Sequence, residues 1–186
     1  MSTASEELPH YTLEQYLAVE EASQVRHEFV GGRIYAMSGG TERHDLLTGL
    51  IYEVLAAAAR REGCRPFIAN RQARVGSAHY YPDVMIVCAR SAERLYETDA
   101  SLIVEVSSRS TVDTDRREKA SAYATLPGLS LYVLVDPERR RIEVAQRRSD
   151  GDLLWRVFGP EGVVPTRYGA LDVDALYDAL DATAIT

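Results

Sequence analysis

Two acidic residues stand inside the most apolar stretches of the chain, and they constrain its fold more than any other feature. Asp83 lies in the run YYPDVMIVC, and Glu105 lies in the run SLIVEVSS. Because both runs are rich in β-branched residues, we predict strands from Tyr80 to Cys88 and from Leu102 to Ser107, at the centre of a sheet. An ionised carboxylate buried there without a partner is costly, so each acid needs a compensating group.

Side-chain alternation indicates where these two acids point. It places Asp83 on the same face as Met85, and Glu105 on the same face as Ile103. If the two strands are neighbours, the carboxylates converge on one space, and two hard oxygen ligands suit Mg²⁺ or Mn²⁺. The alternative is a pair of structural acids that cap a strand or pair with arginine. The residues alone leave both interpretations open.

Lysine usage adds a second candidate. Lys119 is the only lysine among 21 Lys and Arg residues. A compact amine that must approach a reacting group cannot be replaced by a planar guanidinium, so a single lysine in an arginine-rich chain is informative. The alternative is an ordinary surface ion pair, because Asp115 stands four residues before it on a predicted helix.

The remaining chain alternates predicted helices and strands. A long amphipathic helix is predicted over about residues 41–62, a second helix over 110–126, and a tight hairpin around Gly31-Gly32. Hairpins mixed with helices indicate a mixed sheet flanked by helices, in the α/β (α+β) class. We expect one domain over residues 1–186, with residues 1–10 frayed.

Cysteine usage and hydrophobicity suggest the compartment. Cys64 and Cys88 are far apart and show no CxxC spacing, so we expect neither a zinc site nor a disulfide, which suits a reducing cytoplasm. The amino terminus lacks a secretion signal, and no apolar run approaches the roughly 20 residues of a membrane span. We therefore expect a cytoplasmic protein without membrane contact.

Charge and motifs narrow the function classes. The net charge of −7 argues against a nonspecific nucleic-acid coat, whose affinity depends on many contacts to phosphate. No GxxxxGK, GxGxxG or GxSxG pattern occurs, so the sequence does not indicate a nucleotide-binding protein or a serine hydrolase of the usual kind. The four histidines share no ligand spacing, and His44, which begins the long helix, is the best candidate among them.

Two of these segments resemble the motif of a known nuclease superfamily. Pro82-Asp83 followed by Glu105-Val106-Ser107 resembles the PD-(D/E)XK nuclease motif. More narrowly, the chain is similar to the Uma-type family of restriction-endonuclease-like proteins. The stretches that match include HEFVGGRIYAMSGG, YYPDVMIV, LIVEVSSRST and DRREKASAYATLPGLSLYVLVDP, so nearly the whole chain is covered.

The resemblance implies a restriction-endonuclease-like core and metal-dependent hydrolysis of phosphodiester bonds in nucleic acid. DNA is the expected substrate. Asp83 and Glu105 would hold Mg²⁺ or Mn²⁺, with the Val106 backbone carbonyl as a further ligand. Ser107 departs from the general motif, which has a lysine there. In the Uma-type pattern the lysine lies on the following helix, which matches Lys119.

The resemblance also implies Glu28 as an additional acid near the metal. His44 is a second additional candidate for the site. The competing function is a nuclease-fold module that binds nucleic acid or protein partners without cutting, which the Ser107 departure and the acidic charge favour. The residues leave three questions open: whether the substrate is DNA or RNA, which sites are cut, and whether the chain forms a homodimer.

Overall fold

A computed structural model of the protein describes residues 9–37, 39–107, 112–148 and 152–183. The frayed start that the sequence predicts falls mostly on residues 1–8, outside the described residues. No helix in the described ranges is long and apolar enough to cross a membrane.

A six-stranded sheet forms the centre of the fold. In spatial order its strands are β11 (Leu153–Phe158), β10 (Ile142–Arg147), β9 (Leu131–Val135), β8 (Leu102–Val106), β6 (Val84–Val87) and β3 (Arg65–Ile68). β8 and β9 are parallel, and the other neighbours are antiparallel. The sheet is therefore mixed, as predicted, and the two acid-bearing segments lead into adjacent strands.

A second sheet lies beside the first. Its order is β2 (Arg33–Ala36), β1 (His27–Val30), β5 (Ala78–Tyr80), β4 (Gln72–Val75) and β7 (Tyr96–Glu97). Gly31 and Gly32 join β1 to β2 with φ of +56° and +77°, the left-handed conformation that a two-residue hairpin turn requires. The predicted hairpin is confirmed. An additional hairpin, β12 (Val163–Thr166) with β13 (Gly169–Asp172), was not predicted.

Helical segments make up the rest of the regular structure, and some of them cover the two faces of the central sheet. They are α1 (Leu13–Ala22), α2 (Glu42–Arg61), α3 (Val112–Thr114), a π-helical turn (Asp115–Lys119), α4 (Ala120–Tyr123) and α5 (Val173–Thr183). Apolar residues of α2 and α5 pack on one face, against the row that contains Val84, Val104 and Val133. The opposite face carries Met85 and Ile103, and it is covered by α4.

The predicted strand from Tyr80 to Cys88 is wrong as one element. Its first part is β5 in the smaller sheet, and its second part is β6 in the central sheet. The chain changes sheets at Tyr81–Asp83, where Pro82 has no N–H to donate to a ladder. This break places Asp83 at the end of β6.

The helix predicted over 110–126 is also interrupted. It consists of α3, the π-helical turn and α4, and its last helical residue is Tyr123. The predicted first residue, Ser110, lies outside the described residues.

The expectation of two unpaired cysteines is wrong. Cys64 and Cys88 form a disulfide, with their Cα atoms 4.1 Å apart. β3 and β6 are antiparallel, and Arg65 pairs with Val87, so the residues just beyond this pair are direct neighbours. Spacing along the chain could not show this contact, because it depends on which strands are adjacent.

Candidate active site

Asp83 and Glu105 stand opposite each other at the end of the β6–β8 ladder. The paired residues of the ladder end at Val84 and Val104, and one further step along both strands brings Asp83 opposite Glu105. Glu105 shares a face of the sheet with Ile103, because side chains alternate along β8, and its partners Lys119 and Tyr123 come from the helical segment over that face. Asp83 precedes β6 and lies at the end of that strand. The structure therefore brings the two predicted acids together.

The Asp83 carboxylate is held by the adjacent strand and by α2. Its Oδ2 accepts a hydrogen bond from the Val106 N–H at 2.8 Å, and His44 Nε2 lies 3.3 Å from the same oxygen. His44 is in the first turn of α2, and its Nδ1 lies 3.1 Å from Asp45 Oδ1. The hydrogen bond to Asp83 is the largest cause that raises the pKa of His44 to about 9, against the opposing effect of burial.

Glu105 is buried, and its partners are a tyrosine and the lysine. The Tyr123 hydroxyl donates to Glu105 Oε1 at 3.0 Å, and Lys119 Nζ lies 3.3 Å from that oxygen. Burial raises the pKa of the Glu105 carboxyl well above its ordinary value. Repulsion from Asp83 and other acids adds to this effect, and the Lys119 charge opposes it.

Lys119 lies among three carboxylates. Its Nζ is 2.9 Å from Glu28 Oε1, 3.3 Å from Glu105 Oε1 and 3.3 Å from Asp115 Oδ1, and the residue is only 8% exposed. Burial alone would lower the pKa of the amine, but Glu105, Glu28 and Asp115 together raise it well above its ordinary value. The Asp115 ion pair exists, yet it is a buried contact and one of three.

Glu28 enters the site from the smaller sheet. It lies on β1, and its Oε1 accepts a hydrogen bond from the Tyr81 N–H at 3.3 Å. Tyr81 stands where the chain crosses from β5 to β6, so the crossing fixes Glu28 near the acids of the central sheet. The five side chains named from the sequence, Glu28, His44, Asp83, Glu105 and Lys119, therefore line one cleft.

That cleft has a volume of about 1560 Å³, and acids outnumber bases among the charged residues that line it. Besides the predicted residues it includes Asp115, Glu118, Asp136 and Glu143. Arg139 and Arg141 contribute positive charge. A phosphate group entering this cleft would meet more carboxylates than cations, so a bound cation would favour its entry.

The arginine alternative for the two acids finds no support in the described part of the chain, where no ion pair joins an arginine to Asp83 or Glu105. Among the described residues, no three His, Cys, Asp or Glu side chains form a ready-made metal cluster. Two carboxylates and one carbonyl nevertheless fit Mg²⁺, which keeps several waters and needs few protein ligands.

Sequence reasoning missed two polar residues of the site, Asp115 and Tyr123. Asp115 is 3% exposed, and its Oδ2 accepts a hydrogen bond from the Ser107 hydroxyl at 2.8 Å. Its spacing from Lys119 was the available signal, but the same spacing is typical of surface ion pairs. Tyr123 follows Lys119 on the same helical segment, and its hydroxyl donates a hydrogen bond to Glu105.

Comparisons with known proteins agree with this architecture. A crystal structure described as that of a putative nuclease from Anabaena variabilis superposes with a TM-score of 0.77. It is 16% identical, and the match covers 91% of this chain and 98% of that chain. At this identity the match shows a shared fold.

Two sequence relatives match most of the chain. One uncharacterised protein of Synechocystis sp. is 30% identical over 150 residues, which are 78% of this chain and 79% of that protein. A second is 29% identical over 150 residues, or 77% of this chain and 84% of that protein. The family model Uma2, described as "Putative restriction endonuclease", matches residues 13–171. The chain belongs to the Uma2 family.

Proposed function

We propose that this protein is a divalent-metal-dependent endonuclease that hydrolyses phosphodiester bonds, with DNA as the substrate. The observation that carries the proposal is the cleft in which Asp83, Glu105 and Lys119 come together from three parts of the chain. The nuclease-like fold and the family membership support the same reaction class.

Asp83, Glu105 and the Val106 carbonyl would hold Mg²⁺ or Mn²⁺. A cation there would supply Lewis-acid chemistry, lowering the pKa of a bound water and neutralising phosphate charge. In the protein itself, the Val106 N–H and the Tyr123 hydroxyl orient the two carboxylates, each through one hydrogen bond.

Lys119 has the position and the charge for a direct role. Its amine is held 3.3 Å from Glu105, where it would stabilise negative charge that develops on the phosphate or orient the attacking water. Glu28 and Asp115 keep the amine charged and restrict its movement. His44 places a second cationic group beside Asp83.

One observation favours the second candidate, a nuclease-fold module that binds without cutting. Ser107 stands where the general motif has a lysine, and the cleft carries more acids than bases. The two candidates share the fold and differ in turnover.

Calorimetric titration with Mn²⁺, combined with cleavage assays on single- and double-stranded DNA and RNA, tests the proposal. Wild type should bind Mn²⁺ and cut, and Asp83→Asn should lose both properties while circular dichroism shows an intact fold. Glu53→Gln, an exposed change on α2, is the matched control and should behave as wild type. Mn²⁺ binding without any cleavage would favour the binding module, and no Mn²⁺ binding would refute the metal site.

We also propose a cytoplasmic location, because that is where cellular DNA would meet the enzyme. The Cys64–Cys88 disulfide stands against this location, since disulfides are rare in reducing compartments. Thiol alkylation at the moment of cell lysis tests it. Two free thiols in cells agree with the cytoplasm, and an intact bond contradicts it.

A further inference from the structure

We propose that Asp115, together with Ser107, is a positioning residue that holds the Lys119 amine beside Glu105; this inference rests on the proposed nuclease function. The two polar groups differ from ordinary surface residues in their burial. Asp115 is 3% exposed and Ser107 is 7% exposed. Each therefore requires a partner inside the protein.

The two oxygens of Asp115 have different partners. Oδ2 accepts the hydrogen bond from Ser107 Oγ at 2.8 Å, and Oδ1 lies 3.3 Å from Lys119 Nζ. The carboxylate cannot rotate without losing one of these contacts. The Ser107 hydroxyl thus fixes the carboxylate, and the carboxylate restricts the amine.

The backbone from Asp115 to Lys119 also favours the contact between these two side chains. Asp115 and Lys119 are the first and last residues of the π-helical turn, and both are buried, whereas the three residues between them are exposed. The Ala120 N–H and the Tyr132 hydroxyl, the latter at 3.0 Å, both donate to the Asp115 carbonyl. Single π-helical turns inside α-helices are frequent at functional sites.

Ser107 gains a function from this geometry. It follows β8 directly, and its N–H donates to the Val135 carbonyl at 2.9 Å, which anchors it to the sheet. Where the general motif supplies a lysine, this chain supplies a hydroxyl that supports a lysine from the helix. Ser107 and Lys119 then act together, because the serine hydroxyl helps to position the lysine amine through Asp115.

Charge balance alone is the competing explanation, since Asp115 could serve only to neutralise the buried ammonium. Ser107 separates the two ideas, because Ser107→Ala removes a hydrogen bond and no charge. Charge balance predicts that this change leaves Lys119 unaffected. Positioning predicts that it disturbs Lys119, to which Ser107 is connected through the Asp115 carboxylate.

The test uses the single lysine of the chain. ¹⁵N-lysine labelling gives one side-chain signal, that of the Lys119 amine, and its shift and hydrogen exchange report how the amine is held. Asp115→Asn and Ser107→Ala should both shift this signal and speed exchange, and Ser107→Thr, which keeps the hydroxyl, should restore the wild-type signal. Asp113→Asn, an exposed change on α3, is the control. A change in Asp115→Asn only, or in neither variant, would overturn the proposal.

Kinetics supply the second readout. Asp115→Asn should lower kcat on the order of 10- to 100-fold while KM and Mn²⁺ affinity are retained, as expected for a displaced catalytic group. In a Lys119→Ala background the same change should have no further effect, because its target is gone. Additive losses would overturn the proposal. If wild type cuts no nucleic acid, the nuclease function fails, and the lysine signal still decides whether Asp115 and Ser107 position the amine.

Discussion

Lys119 Nζ lies 2.9 Å from Glu28 Oε1, and this ion pair joins the two sheets of the protein at the candidate active site. Glu28 lies on β1 of the smaller sheet, whereas Lys119 belongs to the helix that covers the central sheet. The pair is close because Tyr81, at the crossing between the sheets, donates its N–H to Glu28. The amine is thus held by groups from both halves of the fold.

Glu28→Gln should loosen the lysine. Gln keeps the size of the side chain but loses the charge that raises the pKa of Lys119, so ammonium hydrogen exchange at Nζ should become faster. The ¹⁵N-lysine signal measures this, and Glu14→Gln, an exposed change on α1, is the control. Equal exchange rates in wild type and Glu28→Gln would contradict the role of this ion pair.

Lys119→Met should destabilise the protein by about 3–5 kcal/mol at neutral pH, because it leaves buried carboxylates without their shared cation. The loss should shrink as the pH falls, since protonation removes the repulsion between these carboxylates. Urea unfolding at several pH values measures both effects. Added Mn²⁺ should recover part of the stability if Asp83 and Glu105 bind it. A variant as stable as wild type would show that the ion cluster does not support the fold.

Lys119→Arg and Lys119→Ala should both lose cleavage while Mn²⁺ affinity is largely retained, because neither change removes a proposed ligand. Arg keeps the charge, but its planar group cannot replace a compact amine among three carboxylates. Cleavage rates with Mg²⁺ or Mn²⁺ and calorimetric titration measure the two properties. Equal cleavage by all three proteins would show that the lysine is dispensable.

His79 should make the fold sensitive to acid. It is fully buried on β5, and its Nδ1 lies 3.1 Å from Gln72 Oε1, with no partner for Nε2 among the described residues. Burial is the largest cause that lowers its pKa to about 4, from the ordinary 6.5. The unfolded chain therefore binds a proton between these values that the folded protein does not bind.

Stability should accordingly fall as the pH drops from about 6.5 to 4, by an amount on the order of 2–3 kcal/mol from this group. His79→Gln should show a flatter profile in this window, measured by urea unfolding, whereas His10→Gln, at an exposed histidine, should keep the wild-type slope. Parallel profiles for wild type and His79→Gln would contradict this origin of the acid sensitivity.

The Cys64–Cys88 bond should stabilise the fold by about 3 kcal/mol, because it closes a loop with a sequence separation of 24 and restricts the unfolded chain. Cys88→Ser and reduced wild type should have the same lowered stability in urea unfolding. Reductant should not affect Cys88→Ser, which controls for other actions of the reagent. Unchanged stability of wild type on reduction would show that the bond contributes little.

The sequence by itself determined the local features of this protein and the residue types of its site. Alternation placed Glu105 on the face of β8 that meets Lys119 and Tyr123, and the Gly31-Gly32 turn and the long helix α2 were predictable. These features depend on neighbouring residues, through steric limits on the backbone and through periodic burial.

Only the tertiary structure decided which residues meet. The crossing at Pro82, the three carboxylates around Lys119, the bond between Cys64 and Cys88 and the buried Asp115–Ser107 hydrogen bond all join segments from different elements. Strand order and helix placement follow from packing the whole core, and many orders are compatible with the same local pattern. The charges around Lys119 are therefore a property of the assembled fold, because no single stretch of sequence contains Glu28, Glu105 and Asp115 together.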